Sequence, residues 1–252
     1  MSFINKNCKV IFAASAVALV LVLWFLHPAA WLASAPTDAS AGAHMTYSTN
    51  FPRAENPISE GGKWISAKAA SIDWADVRTT PGFAFGTEPA TVTTAPGKYD
   101  DSTALLAGTW APNQGAEATV RSVNPNDKVW EEVELRLRSS LSPHQATGYE
   151  ILFRCAKTPK GYHDIVKWNG PLGSFSYLKH VEGLPYGVRT GDVIKATIVG
   201  NVITTYINGV QMLQVTDNTF TSGAPGIGFY VEGTTGAVDG DYGLTSFKAW
   251  DE

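Results

Sequence analysis

Cysteine is almost absent. Of two in 252 residues, Cys8 lies ahead of the long apolar run and Cys155 stands alone in the rest of the chain. A single cysteine closes no internal disulfide, and Cys8 is not placed as a lipoprotein cysteine. Cys155 falls at an inward position of an alternating segment and reads as a small buried hydrophobe. Charge is also scarce, at 17% of residues with a net of −4 and no basic block. Nucleic acid is therefore excluded as a partner, because phosphate binding needs clustered Lys and Arg. There is no zinc-type His/Cys cluster, no phosphate loop, no Gly-x-Ser-x-Gly elbow and no Asn-x-Ser/Thr acceptor. No cofactor motif is left. Helical periodicity is missing too.

What is present begins with an export signature. Lys6 and Lys9 precede an unbroken apolar run over residues 10–26. A positive segment before such a run directs a chain out of the cytoplasm. The small residues Ala33-Ser34-Ala35 suit cleavage, although Pro36 follows; the run is slightly short of the ~20 residues of a full span. Two readings stand: residues 1–33 are a cleaved signal peptide, or they are an N-terminal anchor holding the protein to the membrane through residues 10–26. Either way the remainder is exported: secreted, periplasmic or anchored on the outer side. Residues 34–45, SAPTDASAGAHM, read as a linker.

From residue 46 onward, short runs of Val, Ile, Thr, Tyr and Phe alternate with Gly, Pro, Asn and Asp. This is an all-β pattern, and the spacing predicts a two-sheet antiparallel sandwich over 46–252. Gly200-Asn201 and Asn208-Gly209 divide a meander into strands at 193–199, 202–207 and 210–215. A hairpin joins 130–140 to 148–157. Further strands are expected near 64–73, 82–87, 103–109, 115–122, 162–168, 174–181, 226–232 and 243–250.

The segment WEEVELRLRSS separates with period two. Val133, Leu135 and Leu137 take one face; Glu132, Glu134, Arg136 and Arg138 take the other. In the partner strand Glu150 and Arg154 share the charged face. Face-consistent registers set Arg136 or Arg138 opposite Glu150, and Glu132 or Glu134 opposite Arg154. Such pairs contribute about 0.2–1 kcal/mol each. The face is then either a neutralised, solvated surface or the floor of a ligand groove. Trp168, in VKWNGP, has the polar company of a groove-edge sugar platform, whereas Trp64 reads as core and Trp74 and Trp110 lie by loops.

Three stretches carry a family likeness: TNFPRAENPISEGGKW, GYEILFRC and GDVIKATIVGNVITTYINGVQMLQVTDNTFTSGAPGIGFYVEG. Together they resemble bacterial exported, LamG-like jelly-roll domains of the concanavalin A-like lectin/glucanase superfamily, across essentially all of 46–252. The resemblance implies a jelly roll with a concave sheet that binds a polysaccharide or glycan. On that reading Glu132, Glu134, Arg136, Arg138, Glu150, Arg154 and Trp168 contact the ligand. It also raises a polysaccharide-degrading enzyme as an alternative, with Glu132, Glu134 and Arg136 as catalytic candidates. The laminarinase-like members carry Glu-x-Asp-x-x-Glu or Glu-x-Asp-x-Glu; here the central Asp is absent and Arg136 replaces the final carboxylate. That departure argues against retaining hydrolysis, which needs two carboxyls about 5–5.5 Å apart. A lyase would use Arg136, Arg138 and Arg154 against a uronate, with His163, His180, Tyr149, Tyr162, Tyr177 or Tyr206 as base; the Gln-x-His and Tyr-x-Lys-x-Gly motifs are missing. A third reading is an adhesion sandwich with no glycan chemistry. Many such jelly rolls hold one structural Ca2+ between the N-terminal segment and the last strand. Glu55 or Glu60 with Asp239, Asp241 or Asp251 would supply its ligands, while the plain reading of Asp239-Gly240-Asp241 is a turn.

Overall fold

A computed structural model describes residues 44–88, 99–125, 127–233 and 238–252. The signal or anchor over 1–33, and the linker except its last two residues, lie outside the described residues. The remainder forms fifteen strands, all paired antiparallel. They are β1 (Thr46–Thr49), β2 (Trp64–Ser66), β3 (Arg78–Thr80), β4 (Phe83–Phe85), β5 (Ser102–Leu106), β6 (Gln114–Ser122), β7 (Val129–Ser142) and β8 (Gln145–Arg154). There follow β9 (Tyr162–Gly170), β10 (Phe175–Glu182), β11 (Val193–Val199), β12 (Val202–Ile207), β13 (Val210–Thr216), β14 (Ala224–Gly233) and β15 (Tyr242–Asp251).

One sheet runs β13-β12-β11-β6-β15-β4-β3, with β1 also on β15. The other runs β10-β9-β8-β7-β14-β5-β2. The two inner faces meet in a single apolar core, as period-two alternation requires. Val133, Leu135 and Leu137 of β7 and Tyr149, Ile151 and Phe153 of β8 enter it from one side, with Cys155. Ala116, Ala118, Ile194, Ala196 and Phe247 enter it from the other. Asn208 and Gly209 both have positive φ, 51° and 78°, as a type I′ turn demands.

His163 is drawn into this core. Its ring stacks on Phe153 at 4.0 Å. Its Nδ1–H donates to the Leu152 carbonyl at 2.8 Å, and Nε2 accepts from the Thr205 hydroxyl of the opposite sheet at 2.7 Å. Burial lowers its pKa to about 4, so the imidazole is neutral. It is an inter-sheet bridge and not a base facing a groove.

Two expectations need correction. The strand expected over 64–73 ends at Ser66. A 3-10 turn over Lys68–Ala70 follows, and Ser71 adopts a left-handed φ of 60°. The Ala-Lys-Ala-Ala run has little β preference. The chain instead folds across the outer face of the second sheet, where Ala67, Ile72 and Trp74 pack against Ala146, Leu152, Val166 and Trp168. Second, β7 does not keep its alternation. Between Leu137 and Ser140 its register to β8 slips. Arg138 sits in the bulge with φ 45°. Two glycines admit this bulge. A Cβ on Gly148 would lie 2.5 Å from the Ser139 Cα, and one on Gly223 would lie 2.4 Å from the Arg138 carbonyl carbon.

Candidate functional site

Register on the second sheet assembles the site row by row. Glu134 is opposite Leu152 on β8 and Gly228 on β14; Leu152 faces Asp164, and Asp164 faces His180. One row along, Arg136 is opposite Glu150, and Glu150 faces Val166 and then Tyr177. The next row sets Glu132 between Arg154 and Tyr230. Of the registers left open by the sequence, the ladder takes the one that sets Arg136 opposite Glu150 and Glu132 opposite Arg154.

The charged face is not solvated. Glu134 is 0% exposed, and Arg136, Glu150 and Asp101 are buried with it. The segment that turns back after β2 covers them, and Trp74 lies 5.4 Å from the Arg136 guanidinium. Beneath that cover Arg136 bonds three carboxylates. Its Nη1 donates to Glu150 Oε2 at 2.6 Å; its Nη2 donates to Asp101 Oδ2 at 3.1 Å, Thr103 Oγ1 at 3.3 Å and Glu134 Oε2. Gly228 makes this possible. A Cβ there would stand 2.1 Å from Glu134 Oε2 and 3.0 Å from Arg136 Nη2. The glycine-rich stretch before FYVEG thus clears room for a buried ion cluster.

Burial and the neighbouring Glu150 raise the Asp101 pKa to about 7, against the pull of Arg136. Burial also pushes Glu134 and Glu132 well above the usual carboxylate range. Arg136 is held charged by the three carboxylates, which outweigh its own burial.

Beside this cluster lies an open cleft of about 250 Å3. Its floor and walls include Asp101, Glu132, Glu150 and Asp164, with Trp168 and Phe175. Tyr162 donates its hydroxyl to Glu132. Buried Asp164 holds the His180 Nδ1 at 2.6 Å while the imidazole stays half exposed. Burial raises Asp164 to about 6, opposed by His180. At the mouth stand Trp130, 40% exposed, and Tyr177, 59% exposed. On the β14 side Tyr230 donates to Glu232 at 2.5 Å.

The residues singled out from sequence divide accordingly. Glu132, Glu150 and Trp168 line the cleft. Glu134 and Arg136 are sealed under it, so neither meets a substrate as nucleophile or acid. Trp168 is a wall and not a groove edge. Its ring packs 4.4 Å from Trp74 and 5.1 Å from Phe175, and its Nε1–H donates to Glu150. Arg138 leaves the face at the bulge and donates to three carbonyls: Pro112 at 2.6 Å, Phe220 at 3.0 Å and Gly200 at 2.6 Å. Arg138→Ala therefore costs about 2–3 kcal/mol in urea unfolding and leaves ligand affinity unchanged. Arg154 donates to the carbonyls of Lys160, Asp127 and Val129, with its guanidinium 5.4 Å from the Tyr162 ring.

Of the candidate bases, Tyr162, Tyr177 and His180 face the cleft. Tyr149 bonds Asp217 at 2.6 Å, and Tyr206 lies on the other sheet against Lys195. Asp101, Asp164, Glu232 and Tyr230 were not singled out from the sequence. Alternation along the strand at 162–168 was the available signal for Asp164. Asp101 precedes its strand and has no local signal.

The carboxylates considered for Ca2+ have protein donors or turn roles. Asp251 accepts from Met45 N at 2.6 Å and Ala111 N at 2.7 Å. Glu55 accepts from the backbone N–H of Ser59 and Glu60; Glu60 accepts from Thr49 and Tyr47. Asp239 and Asp241 form a 3-10 turn. Among the described residues the one gathering of three potential ligands is Asp101, Glu134 and Glu150, and Arg136 already bonds all three.

No protein-family model and no curated protein matches the chain. Solved structures do. A CBM2 module of the evolved Dit protein of Lactobacillus casei BL23 phage J-1 is 9% identical, over 82% of this chain and 96% of that one, with TM-score 0.52. The Clostridium perfringens endo-β-galactosidase that releases GlcNAcα1-4Gal is 11% identical, over 83% of this chain and 63% of that one, with TM-score 0.53. At these identities the likeness is one of fold, a two-sheet antiparallel jelly-roll sandwich.

Proposed function

We propose that residues 46–252 form an exported domain that binds a carbohydrate in the cleft on the outer face of the β10–β2 sheet. The observation that carries this reading is the composition of the cleft. Ring faces from Trp130, Tyr177 and Trp168 stand around carboxylates whose positions are fixed by Tyr162, His180 and Arg136. A pyranose offers the same two surfaces, an apolar C–H face for rings and hydroxyls for fixed acceptors. The two solved structures that share the fold are named for a carbohydrate-binding module and a galactosidase, which fits this use. Export is supported by Lys6 and Lys9 ahead of residues 10–26.

Glycan-array and affinity-gel binding test the reading; retention of no glycan overturns it. Tyr177 meets the rings of Phe175 and His180 edge-on and is 59% exposed. Tyr177→Ala should weaken glycan binding about ten-fold, with the melting temperature unchanged, because about 1–1.5 kcal/mol of stacking is lost. The buried Asp164 orienting a half-exposed His180 favours a second reading, a polysaccharide-cleaving enzyme in the same cleft. Release of reducing ends, abolished in His180→Ala, would distinguish it from a binding module.

A further inference from the structure

Charge in the cleft is one-sided. Among the described residues Asp101, Glu132, Glu150, Asp164 and Glu232 line it, and no Lys or Arg does. Beneath the floor, Glu134 joins Asp101 and Glu150 with carboxylate oxygens within 4.8 Å of one another. The single guanidinium of Arg136 serves all three. Arg154, the next cation, donates to backbone carbonyls and lies against the Trp130 and Tyr162 rings at 5.5 and 5.4 Å. Among the described residues His180 is the one lining side chain able to carry positive charge, and it is bound to Asp164. Tyr177 at the mouth and Tyr230 on the β14 side attract cations by their ring faces as well as stacking on sugars.

We propose that the cleft takes an amine-bearing sugar, a hexosamine unit whose ammonium group enters among the carboxylates. This rests on the carbohydrate reading above and narrows it. An ammonium donates three hydrogen bonds and supplies the charge that one guanidinium shared three ways does not. Uronates and sulfated sugars are disfavoured, because their anions would face the same carboxylates.

Calorimetric titration of the full-length protein at pH 7 tests this. The probes are a glucosamine tetrasaccharide, its fully N-acetylated form and a glucose tetrasaccharide. The amine form should bind at least about ten-fold tighter than the N-acetylated form, with affinity falling as salt is raised. Glu132→Gln removes a carboxylate from the floor. Glu232→Gln does so at the half-exposed rim and keeps the test open should the first variant not fold. Either should reduce the amine advantage at least about three-fold. Neutral sugars binding as tightly as the amine form overturn the inference and leave the carbohydrate reading standing. Amine binding that neither variant weakens is adsorption elsewhere and overturns it too. Failure of all three probes and of a glycan array, in protein with an intact thermal transition, overturns both.

Discussion

Arg136→Ala should destabilise the domain by about 3–5 kcal/mol, read as a lower urea midpoint with an unchanged slope. The substitution removes little apolar surface. What it leaves is the cause: Glu134, Glu150 and Asp101 lie buried together and lose the one guanidinium that bonds all of them. An unpaired buried carboxylate must be protonated or exposed, and either costs free energy. Arg136→Lys should recover less than half of the loss. An ammonium is a point charge, whereas the planar fork reaches Glu150 from Nη1 and Asp101, Thr103 and Glu134 from Nη2. Combining Arg136→Met with Glu134→Gln, Glu150→Gln and Asp101→Asn should be milder than Arg136→Ala alone, since the whole charged set is then gone. An Arg136→Ala protein as stable as the parent would show that the carboxylates already fold protonated and need no cation.

The second large effect is a fall in stability as pH rises from about 5 to 8. The sign follows from the direction of the shifts. Burial raises Asp101, Glu131 and Asp239 to about 7, Asp164 to about 6 and Glu88 to about 11. Unfolded, these groups titrate near 4. Between pH 4 and 7 the folded state therefore holds protons that the unfolded chain has released. Its advantage is complete below the unfolded pKa and is lost as pH climbs through the folded one. Asp101, buried beside Glu150, contributes to this fall in the same direction. Two groups oppose the trend at the acid end. His163, lowered to about 4, is buried neutral and destabilises the fold as pH drops from about 6.5. Asp217, lowered to about 2 by hydrogen bonds from Tyr149, Thr219 and Lys167 that outweigh its burial, loses its contribution below about 4. Maximum stability is therefore expected near pH 5. Scanning calorimetry at pH 5, 6, 7 and 8 should show a steadily decreasing melting temperature; a rise toward pH 8 contradicts the assignment.

Much of the sandwich was legible because its signals are local. The Asn208-Gly209 turn and the inward Val133-Leu135-Leu137 row follow from turn chemistry and from period two, which also narrows the residue facing Glu150 to Arg136 or Arg138. The misread parts depend on distant partners. Residues 67–73, expected to continue the strand, instead cross the outer face, where Ala67 and Ile72 pack with Leu152 and Trp168. That crossing is what converts a solvated charged face into a sealed one. The bulge at Arg138 depends on Gly148 and Gly223, which belong to other strands. Asp101 reaches the cluster only because β5 pairs with β14 and β14 with β7, an order that no short stretch encodes.

Gly228 carries one more consequence. The ion cluster occupies volume that a side chain on β14 would otherwise fill, so the information specifying the site sits partly in an atom that is not there. A scan by chemical type, for acids, bases or rings, passes over such a position. A library of variants at residue 228 would read it directly. Each added carbon forces Glu134 and Arg136 outward, so tolerance there reports how much displacement the covered charges allow before the sheet gives way.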